Sequence, residues 1–317
     1  MKCPKCDSNH RRSGGMTCSC GYEFALDPKM DGIGDRRFVA FINGASSNGA
    51  YSFTENQLYT AACRKQLGAP IGYLAFFCTL IAIVTTLMLI YQVVDIVPLA
   101  VIGACGLGIL LWLYRLYVQS LPRKKFDCWF EKYVDGRGPI ELLVEEGTLA
   151  SPPESTGGPD IYDYGVERVL IVQRRVLVDL LVANNAHSTN RALIVSSDGY
   201  PDYLSPMVEK VLGESPSLPI FLLHDATIEW IAWAEKQKDR YSGTGRPVID
   251  MGMHPESMSK IKKIMTLRLS KSNYQAPLDV LPMAMLMNGI TLSMDQGVGM
   301  GELLIMETSA DSAASFG

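Results

Sequence analysis

Two sets of side chains have the types and spacing to do chemistry. The first is Cys3-x₂-Cys6-x₁₁-Cys18-x-Cys20, four thiolates in two close pairs, which is the donor set of a structural tetrahedral zinc site. A segment this short has almost no core, so a bound metal would supply its folding energy. The second pair is one residue tighter than the usual C-x₂-C, which leaves His10 as an alternative ligand. The second set is a group of polar residues around Asp198, Gly199, Asp225 and Thr227, with Gln173 upstream. Carboxylates in such a group could hold Mg²⁺ through hard oxygen ligands. Asp225 could equally cap a following helix, and Gly199 suits a turn that needs unusual backbone angles. His224 is expected as a hydrogen-bonded structural histidine, and His187 and His254 show no metal spacing. No G-x-S-x-G, P-loop or H-E-x-x-H pattern occurs.

The elements that must position these residues follow from apolar patterning. From Arg168 onward, short apolar runs at Val169–Val172, Ala192–Val195, Ile220–Leu223 and Val248–Met251 alternate with helical stretches. The helices are expected at Val176–Val182 and at about 202–212, 228–238 and 256–266. This alternation predicts βαβ units and a mostly parallel, doubly covered sheet. In such a sheet function lies at the carboxyl ends of the strands, here Gln173, Ser196–Tyr200, His224–Thr227 and Gly252–Pro255. Upstream, Thr54 and Gln57 have capping-box spacing at the start of a helix. Residues 122–148 are amphipathic, with Phe126, Trp129, Phe130 and Tyr133 set against Lys124, Lys125, Glu131 and Lys132, as in a helix lying on lipid headgroups.

Two further segments are apolar throughout. Ile71 to Tyr91 is 21 residues without a charge, and Val97 to Tyr114 is 18 more. At about 1.5 Å per residue each approaches the ~30 Å hydrocarbon thickness, which predicts a transmembrane hairpin. Arg64 and Lys65 before it, and Arg115, Arg123, Lys124 and Lys125 after it, place both flanks in the cytosol by the positive-inside rule. The first 20 residues are polar rather than apolar, so no signal peptide is expected there. Cys63, Cys78, Cys105 and Cys128 show no paired spacing and read as reduced residues. Residues 1–150 carry 15 basic and 13 acidic side chains, and the remainder 14 and 20. The acidic C-terminal half is a poor match for nucleic acid.

SSDGYPDYL at 196–204 followed by LPIFLLHDAT at 218–227 resembles the Toprim domain of topoisomerase VI A subunits and the related meiotic double-strand-break proteins. MGMHP at 251–255 is similar to a downstream turn of the same family. The resemblance covers roughly 167–268. It implies a metal site made by a glutamate after the first strand and two aspartates after the third. Gln173 stands at the glutamate position, and Asp225-Ala226-Thr227 at the D-x-D, so one carboxylate of three is kept. The upstream domain that bears the family's nucleophilic tyrosine has no counterpart here.

The expected fold class is a multidomain membrane protein with a small zinc ribbon, two transmembrane α-helices and a C-terminal α/β Toprim-like domain of mostly parallel sheet. Its parts are a ribbon at 1–24, a helical connector at 25–68, the hairpin at 71–118, a juxtamembrane segment at 122–148, a Pro/Gly/Ser-rich linker at 151–159, the α/β domain at 160–307 and a tail at 308–317. The expected location is the plasma (inner) membrane, multi-pass, with both termini cytosolic. The expected role is binding or regulation, with structural zinc, with the bilayer and a cytosolic protein as partners, and with nucleic acid and Mg²⁺ less favoured. One alternative is a Mg²⁺-dependent nuclease or phosphotransferase using Asp225 and Asp198, and another is a structural membrane scaffold.

Overall fold

The computed structural model describes residues 1–68, 121–150, 165–260, 276–303 and 305. Its centre is a four-stranded, all-parallel sheet: β1 (Arg168–Val172), β2 (Ala192–Ser196), β3 (Ile220–Leu223) and β4 (Val248–Asp250), in the order β2-β1-β3-β4. Val169 pairs with Leu193 on one side and with Ile220 on the other. All five residues of β2 and all four of β3 are buried, as expected of continuous apolar strands covered on both faces. One face packs Leu170, Val172, Ile194 and Phe221 against Leu177, Leu181, Leu286 and Ile290; the other packs Val169, Ile171, Leu193 and Leu222 against Leu204 and Ala234.

Upstream, three helices lie among the described residues: α1 (Asp35–Ala45), α2 (Glu55–Gly68) and α3 (Arg123–Arg137). Downstream, α4 (Arg175–Ala183), α5 (Ala186–Thr189), α6 (Ser205–Glu214), α7 (Ile228–Ser242), α8 (Pro255–Lys260) and α9 (Met283–Gln296) surround the sheet. The sequence alone assigns no element to 283–296. The Thr54–Gln57 capping box forms as expected: Thr54 N donates to Gln57 Oε1 at 3.0 Å, and Gln57 N to Thr54 Oγ1 at 3.3 Å.

The amphipathic segment at 122–148 buries its apolar face against protein. Phe126, Trp129 and Tyr133 are nearly inaccessible and pack with Phe38, Phe41, Phe53 and Leu58 of the α1–α2 region. Phe38 and Tyr133 have ring centroids 4.4 Å apart, and Trp129 Nε1 donates to the Asp31 carbonyl at 2.9 Å. Buried Asp35 ties the N-terminal segment to these helices, accepting from Tyr22 Oη at 2.8 Å, Ala25 N at 3.0 Å and Leu26 N at 2.8 Å. Buried Asp179 of α4 accepts from Gly147 N, Thr148 Oγ1 and Tyr200 Oη at 2.6–2.8 Å, so the chain after α3 is fastened to the sheet domain.

The membrane assignment is corrected by this architecture. Among the described residues no helix is long and apolar enough to cross a membrane. The longest, α3 and α7, have 15 residues each, roughly 22 Å against a hydrocarbon core of about 30 Å. Both also carry many charges. The spans expected at 71–118, the linker at 151–159 and the tail at 308–317 lie outside the described residues. The multi-pass location at the inner membrane therefore does not stand. The fold class becomes an α/β fold, a four-stranded parallel sheet with helices, accompanied by a cysteine cluster that could hold a metal.

Candidate metal centre and strand-end site

The four N-terminal cysteines converge. Cys3 Sγ lies 3.6 Å from Cys20 Sγ, and Cys6 Sγ lies 3.7 Å from Cys18 Sγ. All four sulfurs are within 4.8 Å of one another. Sulfurs held ~2.3 Å from a tetrahedral ion stand roughly 3.8 Å apart, so the set fits a tetrathiolate metal site. Two tight turns build it. Asp7 N donates to Cys3 O at 3.0 Å with Asp7 in the left-handed region, and Gly21, at φ +78°, donates its N–H to Cys18 O at 2.9 Å. A bond to the Cys20 backbone and the Ser8 hydroxyl together bring the Cys18 thiol down to about 5. The Tyr22 backbone pulls Cys20 down, but burial and the three neighbouring sulfurs push it up to about 12. His10 is not drawn in: its Nε2 contacts Gly15 O at 2.9 Å and its ring stacks on Phe24.

The sheet order reverses between β1 and β3, and in an open parallel sheet the crevice at that switch point is where ligands bind. Gln173 leaves β1 and Asp225 follows β3, one on each side of the crevice, and Asp225 N donates to Gln173 Oε1 at 2.6 Å. The next residue, Arg174, fills the space. Its Nε lies 3.2 Å from Asp225 Oδ2, and its NH2 group donates to Asp279 Oδ1 at 2.8 Å. Asp225 and Asp279 are both buried, at 6% and 1% exposure. Asp225 also accepts from Leu278 N at 2.7 Å. Asp279 accepts from Thr54 Oγ1 at 3.0 Å and Asn56 Nδ2 at 3.1 Å, which carries the network to the start of α2. Burial pushes the Asp225 carboxyl up against the pull of Arg174. Burial works against the Arg174 charge, but Asp279 and Asp225 outweigh it and raise its pKa.

The remaining residues singled out from sequence have other partners. Asp198 pairs with Arg175, which donates from Nε at 2.7 Å, and also contacts Ser196 Oγ. The Ser196 hydroxyl and then Arg175 hold its carboxyl below the usual range. Gly199, at φ +87°, makes the turn after β2; a Cβ there would meet Ser205 Oγ at 3.1 Å. Thr227, rather than Asp225, caps α7, its hydroxyl accepting from Trp230 N at 3.4 Å.

Sequence reasoning passed over two features. Arg174 was one basic residue in VQRR, with nothing nearby to show that it turns inward. His254 shows no metal spacing in sequence and His224 reads as a structural histidine, yet the fold brings both to Asp250 at the end of β4. No family model matches the chain, and no curated protein or solved structure matches it significantly.

Proposed function

We propose that this is a binding or regulatory protein, not a phosphoryl-transfer enzyme, built from a zinc-held N-terminal ribbon and a Toprim-like α/β domain whose metal cradle is closed. The observation that carries this reading is the guanidinium of Arg174 between Asp225 and Asp279. A cation that belongs to the chain neutralises the carboxylate that an active relative would offer to Mg²⁺. Hard-cation affinity depends on the number of charged oxygens available, and here Asp225 is engaged by Arg174 while Asp198 is engaged by Arg175. Support for the Toprim resemblance comes from placement: Gln173 directly follows β1, the GYPD turn follows β2, and Asp225 follows β3. Zinc suits the ribbon because four thiolates at tetrahedral spacing are its usual structural donor set. The binding role falls to a protein partner, with Ile228 at the start of α7 63% exposed beside the strand ends.

The test is calorimetric titration of the purified chain with Mg²⁺, alongside nuclease assays on single- and double-stranded DNA and RNA and elemental analysis for zinc. Zinc at one ion per cysteine set, no Mg²⁺ binding in the low millimolar range and no cleavage are the expected results. Mg²⁺-dependent cleavage abolished by Asp225→Ala would overturn the reading in favour of the nuclease.

A further inference from the structure

His224, Asp250 and His254 lie at the ends of β3 and β4, beside the switch-point crevice but outside the Arg174 network. Their ligand atoms lie within 4.8 Å of one another. The His224 side chain is fully buried, that of Asp250 is 6% exposed, and that of His254 is open to solvent at 44%. His224 Nε2 faces Asp250 Oδ1 at 3.1 Å, and His254 Nε2 faces Asp250 Oδ2 at 3.7 Å. Asp250 Oδ2 is a buried oxygen with no hydrogen bond.

The two ring nitrogens of His224 have different partners. Its Nδ1 lies 2.8 Å from the Asp225 carbonyl oxygen, which can only accept, so Nδ1 carries the hydrogen. Nε2 is then the ring nitrogen turned toward Asp250, 3.1 Å from its Oδ1. A histidine whose distal N–H is fixed by a backbone carbonyl is the usual arrangement around a metal-bound imidazole. The backbone is shaped to the ring: a Cβ on Gly252 would come within 2.3 Å of His224 Nε2, and Gly252 N donates to Asp250 Oδ1 at 2.9 Å.

We infer that His224 Nε2, Asp250 Oδ2 and His254 Nε2 form a binding site for a first-row divalent metal ion of the zinc type. Ligands ~2.0–2.2 Å from a tetrahedral ion stand about 3.3–3.6 Å apart; His254 Nε2 and Asp250 Oδ2 stand 3.7 Å apart, and one ligand atom from each of the three residues lies within 4.8 Å of the others. Two imidazoles and one carboxylate suit zinc, cobalt or ferrous iron better than Mg²⁺. Three protein ligands leave a coordination position free on the side of His254, where water or an anionic oxygen ligand can enter. Lys238 competes for that place: its ammonium lies 3.3 Å from Asp250 Oδ2 and 2.9 Å from Glu235. It is one-third exposed and can swing to solvent as the ion enters.

The test is titration of the full chain, with its cysteine-bound metal retained, using Co²⁺ and following absorbance. A cobalt ion at this site gives weak visible ligand-field bands without the intense near-ultraviolet charge-transfer absorption of cobalt–thiolate bonds. Its signal is therefore separate from anything at the cysteines, and it stands or falls independently of the proposed binding function. One such ion per chain is expected, with affinity reduced at least tenfold by His254→Ala and by Asp250→Asn. His254 is half exposed, so its variant keeps the fold even if Asp250→Asn does not. Absence of a thiolate-free cobalt signal, or a signal unchanged by His254→Ala, would overturn the site.

Discussion

His224 and Asp225 are neighbours in the chain, yet they belong to two clusters that solve the same problem differently. In one, the carboxylates of Asp225 and Asp279 are buried and both paired with Arg174, a cation fixed on the segment that follows β1. In the other, the carboxylate of Asp250 is just as inaccessible, but it faces two imidazoles and a partly exposed lysine. A guanidinium is permanently charged and presents a rigid fork of donors, so the first cluster is closed to any other cation. Imidazole and a mobile ammonium can give way, so the second remains able to exchange its cation. The sheet thus carries a locked strand end and an open one side by side.

The largest effect that tests this contrast is removal of the lock. Arg174→Met leaves Asp225 and Asp279 buried without their cation, and breaking a buried pair by deleting one partner costs about 3–5 kcal/mol. Urea denaturation followed by circular dichroism is expected to show a loss of that size. A loss below ~1 kcal/mol would mean that water reaches these carboxylates, and the locked cluster would not differ from the open one.

A smaller effect is expected at the edge of the lock. Thr54 both caps α2 and donates to Asp279 at 3.0 Å. Thr54→Ala is expected to cost about 1–2 kcal/mol, the cap loss at its upper range because a buried acceptor also loses a donor. In a double variant with Arg174→Met the two losses should not add, since both act on Asp279. Strict additivity in the same denaturation measurement would separate the helix cap from the network.

The legible and illegible parts of this molecule divide by sequence distance. Ile220–Leu223 was readable as a strand because a four-residue apolar run flanked by Pro219 and His224 has few other uses. The Thr54–Gln57 box was readable because its bonds span three residues. The aromatic face of 122–148 was visible too, but periodicity says that a face is apolar without saying what covers it, and here Phe38 and Phe41 do. The same limit applies to the apolar runs at 71–114, where hydropathy alone carried the membrane assignment. Arg174 reaches Asp279 across 105 positions and Asp225 across 51, and no local pattern announces such a pairing. Asp250 and His254 are four apart, but Asp250 ends a strand, so helical spacing had no meaning there. His224 joins them only because β3 and β4 are adjacent and parallel.

The smallest expected effect concerns Lys238, and it separates the two clusters most directly. Lys238 lies 3.3 Å from Asp250 Oδ2 and is 34% exposed, with Glu235 as its second partner. A partly exposed ion pair contributes about 0–1 kcal/mol, because solvent screens it and the long side chain loses freedom in making it. Lys238→Met keeps the apolar stem and removes only the charge, so its stability cost should stay within that range. The same substitution deletes the cation that competes for Asp250, so Co²⁺ affinity should rise severalfold even as stability barely changes. Opposite signs for these two readouts are what an exchangeable cation predicts. A loss of stability comparable to that of Arg174→Met, with no gain in cobalt affinity, would make Lys238 a fixed counterion and leave both strand ends locked.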